Sequence, residues 1–207
     1  MKEEKDKIIE AARDKFFEHG IYKITLDEVA SDLRMSKKTV YKFFPSKEVL
    51  LKAIVKFTMG KIEREVTAIT TSNRPFVEKM SALLIFIGTM TRRFSKQFQV
   101  DLIRFAPGLW REMEAFRREQ IFPKVLGLFQ QAKQEGLFRA DLDVNLFYLV
   151  FISVVQGVMT PAVLAEQSFS AEQAFRGVFR LLLEGALTDE ARKQTDLFDP
   201  TIINRTF

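Results

Sequence analysis

Thr25–Lys47 reads TLDEVASDLRMSKKTVYKFFPSK, and its spacing decides the architecture. Glu28 stands three residues after Thr25, the arrangement in which a hydroxyl and a carboxylate each satisfy the other residue's backbone N–H at a helix start. Val29, Ala30 and Leu33 mark the inward face of a helix that can run to about Arg34. Met35 turns the chain, and Ser36 supplies the side-chain oxygen that opens a second, shorter helix. Pro45 ends that helix, and Ser46 opens a third.

The short helix divides by angle. At about 100° per residue, Lys37, Lys38, Tyr41 and Lys42 fall within one arc of about 140°. Val40, Phe43 and Phe44 fall on the opposite side, with Thr39 at the border. Apolar residues therefore dock the helix, while basic, aromatic and hydroxyl groups face outward. Three short helices with a tight second turn and one cationic outer face make a helix-turn-helix head.

Charge placement points the same way. Arg34, Lys37, Lys38, Lys42 and Lys47 are five cations with no acid among them. The 207-residue chain holds 32 Lys+Arg against 27 Asp+Glu, so the rest of it is neutral and the whole surplus lies on this segment. Such a concentrated patch is the electrostatic footprint of a nucleic-acid site.

Several function classes are excluded. There are no cysteines, hence no disulfides, thiolate chemistry or cysteine-based zinc site. The one histidine, His19, stands beside Gly20 at a helix end, where capping is the simple role. Neither a phosphate loop nor a nucleophile elbow is present, so no catalytic residue, metal site or cofactor is expected and the chain is not read as an enzyme. The N-terminus alternates charges without an apolar signal core, which points to a cytoplasmic protein. Val144–Ala165 is uncharged and long enough to span a bilayer, but Asn145, Gln156 and Pro161 make a buried helix the better reading. Asn204-Arg205-Thr206 matches a glycosylation pattern and, without a signal peptide, is read as chance.

Working outward, Ile8, Ala12 and Phe16 recur every four residues with Ile9 and Phe17 alongside, a single-striped helix stopped by Gly20. Beyond residue 47 lie 17 of the 21 phenylalanines. Asn73-Arg74-Pro75 breaks a long helix, Phe76–Phe94 forms the next, and Phe98, Leu102 and Phe105 mark another that ends at Pro107-Gly108. Leu109–Gln134 is helical in pattern with a kink at Pro123, and Gly136 closes it. Asp143 caps the uncharged helix, and Ser170-Ala171-Glu172-Gln173 is a second capping box ahead of Phe175, Val178, Phe179, Leu182 and Ala186. The expected fold is all-α, with about nine helices: a head over 1–47, with its motif at 25–44, and a second domain over 48–207.

Thr25, Val29, Ala30, Ser36, Lys37, Thr39, Val40, Tyr41, Phe43, Phe44, Ser46, Lys47, Glu48 and Leu50 stand at spacings that resemble the head of TetR-type (TetR/AcrR) transcriptional regulators. One departure is visible: where that family usually has glycine in the turn, this chain has Arg34. The resemblance implies that Ser36–Phe44 enters the major groove. Lys37 and Lys38 can then reach guanine edges or phosphates, and Tyr41 a thymine methyl. Thr25, Ser36, Thr39, Lys42 and Lys47 complete the expected DNA-binding set, mostly on the phosphate side.

It also implies a homodimer on a palindromic operator, joined through the last two long helices, because one short helix reads too few bases. The later segment is expected to be a ligand-binding and dimerisation domain holding a small, lipophilic effector that releases DNA. Candidate lining residues are Phe86, Met90, Phe94, Phe98, Phe105, Trp110, Met113, Phe116, Phe147, Phe151 and Gln156, with Tyr148 and Arg104 as further polar contacts. A DNA binder of the same fold with no effector, controlled by a protein partner or architectural, is the alternative.

Overall fold

The structure is a computed structural model that describes residues 2–158, 160, 163–164 and 166–194. Among these residues it is all-α: α1 (Lys2–His19), α2 (Leu26–Asp32), α3 (Lys37–Phe43), α4 (Lys47–Thr71), α5 (Phe76–Arg93), α6 (Lys96–Phe105), α7 (Pro107–Phe116), α8 (Phe122–Gln134), α9 (Val144–Val158), α10 (Ala171–Ala186) and α11 (Asp189–Gln194). The only extended pairing among them is an isolated antiparallel bridge between Phe138 and Leu187.

Among the described residues there are eleven helices where about nine are expected, for two local reasons. Pro123 sits in the first turn of α8, where its missing N–H costs nothing, and a π-helical turn over Arg117–Ile121 separates α7 from α8. Past α10, Thr188 Oγ1 accepts from Ala191 N, and acids in the first turn with bases in the last complement the dipole of α11. The glycosylation-like Asn204-Arg205-Thr206 and Pro161 lie outside the described residues.

The chain forms two compact units, one of residues up to Glu63 with Arg93–Phe116, the other of Arg64–Arg92 with residues from Arg117 onward. The first unit thus takes in α6 and α7 along with α1 to α3 and most of α4. The reason is packing: Phe98 and Leu102 of α6 are each 1% exposed, within the same apolar cluster as α1 to α4.

In the first unit, Ile8, Ala12 and Phe16 of α1 are buried as their four-residue spacing requires. Val29, Ala30, Val40, Phe44, Leu50 and Ile54 pack into the same core. Phe17 meets Phe94 and Phe98 at ring-centroid distances of 4.5 and 4.8 Å. Beside this core, Ser95 caps α6 through Phe98 N, and its own N–H donates to Phe17 O at 2.9 Å.

In the second unit, Phe129 lies edge-on to Phe147 and Phe151 at 4.9 and 5.2 Å, and Phe151 contacts Phe179 at 5.8 Å. Such edge-to-face pairs each add about 0.5–1.5 kcal/mol beyond their buried area. Buried Lys79 is satisfied by Thr70 O and Gln131 Oε1 at 3.0 and 2.9 Å. The expected caps form: Asp143 Oδ1 accepts from Asn145 N and Leu146 N, and Ser170 with Gln173 closes the capping box of α10.

Candidate nucleic-acid interface

The helix-turn-helix is built from side-chain caps. Thr25 Oγ1 accepts from Glu28 N at 3.2 Å, while Glu28 Oε2 accepts from Thr25 N at 2.6 Å. These bonds hold the Glu28 carboxyl below the usual glutamate range, the Thr25 backbone N–H being the largest cause and its hydroxyl the next. Ser36 Oγ accepts from Thr39 N at 3.1 Å and lies 2.8 Å from Thr39 Oγ1.

Arg34 adopts the left-handed backbone that the turn demands, with φ 52°. Arg34 N donates to Ser31 O at 3.0 Å and Met35 N to Ala30 O at 2.9 Å, the paired bonds of a Schellman ending. A residue with a Cβ thus occupies a position where glycine is easiest, at a cost of roughly 1 kcal/mol.

α3 is oriented as the angle count requires. Val40 is fully buried and Phe44 is 1% exposed, while Lys37, Lys38, Tyr41 and Lys42 are exposed and Thr39 is half-buried. Phe43 is half-buried against the core.

Two predicted contact residues carry partners that linear charge counting misses. Lys37 Nζ lies 2.6 Å from Asp27 Oδ2 across the turn. The Lys37 hydrogen bond holds the Asp27 carboxyl below the usual aspartate range, and the same bond raises Lys37. Asp27 lay outside the acid-free window because it belongs to α2. Lys47 Nζ donates to Tyr22 O at 2.9 Å. Burial lowers the Lys47 pKa, opposed by the charges of Asp101 and Glu28.

A second set of bonds fixes this region from α6. Asp101, 2% exposed, accepts from Ile21 N and Tyr22 N at 2.7 and 2.9 Å through Oδ2, and from Gln97 Nε2 at 2.5 Å through Oδ1. The Tyr22 backbone is therefore bonded on both sides, its N–H donating to Asp101 and its carbonyl accepting from Lys47.

Residues 8–54 match the family described as bacterial regulatory proteins, tetR family. Over 193 residues, 92% of this chain and 100% of the relative, it is 24% identical to an uncharacterized HTH-type transcriptional regulator, YvaF, of Bacillus subtilis (strain 168). This chain carries a tetR-family head over residues 8–54. It is a DNA-binding transcriptional regulator and not an enzyme. A TetR/AcrR-family regulator from Thermobifida fusca YX-ER1 superimposes with a TM-score of 0.62 at 25% identity, covering 88% of this chain and 98% of that one. FadR from Bacillus subtilis, solved with stearoyl-CoA, gives a TM-score of 0.61 at 19% identity, covering 87% and 98%.

The candidate effector residues fall into both units. Phe94, Phe98, Phe105, Trp110, Met113 and Phe116 belong to the first, with Arg104; Phe86, Met90, Phe147, Phe151, Tyr148 and Gln156 belong to the second. Phe98 is core, Trp110 and Met113 pack against that core, and Phe105 is half exposed and stacks on Tyr22 at 5.8 Å. Phe147 and Phe151 are buried among other rings, whereas Gln156 is exposed. Arg104 lies over the Phe105 ring at 5.3 Å. Tyr148 is half-buried, and burial raises its hydroxyl pKa. No helix of the described residues is long and apolar enough to cross a membrane, and α9 ends at Val158.

Proposed function

We propose that this TetR-family regulator is a cytoplasmic repressor that binds a palindromic operator as a homodimer and is released by a small lipophilic effector. The observation that carries the reading is the outward set Lys37, Lys38, Tyr41 and Lys42 on a helix anchored by buried Val40 and Phe44. In this reading Lys37 meets a base edge, Tyr41 packs on a thymine methyl, and Thr25, Ser36, Thr39, Lys38, Lys42 and Lys47 contact the backbone. The head is 1–47, and 48–207 senses the effector and dimerises.

The surface of α9 and α10 supports dimerisation. Leu146 and Leu149 on α9 and Leu181 on α10 are 60, 61 and 75% exposed. Gly157, Gly177 and Gly185 have open space where a Cβ would stand, leaving room for a neighbouring helix. Exposed leucines clustered beside small residues are the usual makings of a helix-on-helix interface. The effector class is argued from the phenylalanine-rich later segment and from stearoyl-CoA in the FadR structure. Effector binding would favour a spacing of the two heads that no longer fits successive major grooves.

A second reading, a regulator of this fold without a small-molecule effector, draws on Phe147 and Phe151 being packed by Phe129 and Phe179. Selection from random duplexes followed by release assays tests both. Recovery of an inverted repeat bound by two chains, and its release by a long-chain acyl compound, is the expected outcome. Binding without symmetry overturns the dimeric repressor, and failure of a broad lipophilic panel to release DNA favours the second reading.

A further inference from the structure

The Asp27–Lys37 pair is an odd feature for a DNA-reading surface. It places a carboxylate among the cations that would otherwise draw phosphates. Its contribution to folding is small, since both side chains are well exposed and surface pairs of this kind add little. Asp27 Oδ2 accepts from Lys37 at 2.6 Å, yet Oδ1 is closed off from solvent and makes no hydrogen bond among the described residues. A carboxylate oxygen left without a donor is unfavourable, so the arrangement is not the one that stability alone selects.

We propose that Asp27 is a specificity-determining residue of the DNA interface: its carboxylate withholds Lys37 from phosphate and presents it to a base edge. This rests on the reading that Lys37 contacts a base. An ammonium has three N–H donors, so Lys37 can keep Asp27 and still donate to guanine O6 or N7. Moving Lys37 to a phosphate instead abandons Asp27, leaving an unpaired carboxylate close to the polyanion. The pair therefore penalises non-specific binding, which is carried by phosphate neutralisation, more than binding to the operator.

The test uses the full chain with a selected operator and a scrambled duplex, each titrated over a range of salt. Asp27→Asn should tighten scrambled-duplex binding about three- to tenfold and steepen its log–log salt slope by about 0.9, the increment for one further phosphate contact. Operator binding should change less, so discrimination falls. Asp27→Ala is a second variant, and circular dichroism checks that both fold. In a Lys37→Ala background neither substitution should steepen the slope. An unchanged slope and unchanged scrambled affinity in Asp27→Asn and Asp27→Ala would overturn the role of Asp27, even with Lys37→Ala relaxing base preference. Lys37→Ala leaving base preference intact overturns the underlying reading instead.

Discussion

Asp101 Oδ2 lies 2.7 Å from the backbone nitrogen of Ile21, a residue 80 positions earlier in the chain. The residue before Ile21 is Gly20, at φ 86°, where a Cβ would come within 2.6 Å of Gln97 Cγ and 2.8 Å of Asp101 Oδ2. The glycine thus serves two purposes. It ends α1 in the left-handed region and lets α6 approach closely enough for a buried carboxylate to hold the following turn.

Removing that carboxylate should loosen the head. Asp101→Ala leaves the Ile21 and Tyr22 N–H groups without their acceptor and should cost about 2–4 kcal/mol in denaturant unfolding. Gly20→Ala should cost about 2 kcal/mol or more, from backbone strain together with overpacking. Loss below 0.5 kcal/mol for both would show that the α6 contact does not hold the turn.

Arg34 supplies the opposite case. Arg34→Gly relieves a left-handed non-glycine residue while adding unfolded-state entropy, and the balance should stabilise the chain by up to about 1 kcal/mol. The Schellman bonds from Arg34 N and Met35 N stay available to glycine. A fall in melting temperature would mean that the arginine side chain contributes more than its backbone costs.

The sequence made the head legible in detail and the second unit only in outline. Thr25 with Glu28, Ser36, and the docking of Val40 and Phe44 are all local: caps reach three residues, and a helix face follows from a period of about 3.6. The Asp27–Lys37 and Lys47–Tyr22 contacts cross between elements, at separations of 10 and 25 residues that the periodicity of a single helix does not pair. Nothing in the sequence around Asp101 marks it, and only packing shows it as the acceptor for a distant turn. Ser95, three residues ahead of Phe98, is a cap of the same local kind. For Phe98 and Phe147, aromatic spacing is the same whether a ring lines a cavity or fills a core, which is why periodicity left their role open.

Acid should weaken the capping box with a definite sign. Glu28 has its carboxyl depressed by Thr25, so its contribution is fully present above the ordinary glutamate pKa of about 4.3 and is lost as pH falls through the lower folded value. Unfolding midpoints should drop below about pH 4.3, and Glu28→Gln should make that drop shallower because glutamine still accepts from Thr25 N. An identical acid profile in the variant would remove Glu28 from the account.

Dimerisation through α9 and α10 predicts that Leu149→Glu combined with Leu181→Glu yields monomers by light scattering. Both leucines are mostly exposed in the single chain, so the double substitution should leave its folding nearly unchanged. Operator affinity should fall at least tenfold, since one head supplies only half of the contacts. A dimer that persists at micromolar concentration would place the interface elsewhere.

The most direct measurement compares Lys37→Ala with Lys47→Ala on the selected operator and on the same duplex with one half-site base pair exchanged. Lys37→Ala should erase a discrimination of about 1–3 kcal/mol at one base pair, whereas Lys47→Ala should weaken both duplexes by the same factor. Equal losses on both duplexes for both variants would contradict the claim that the outward face of α3 reads bases.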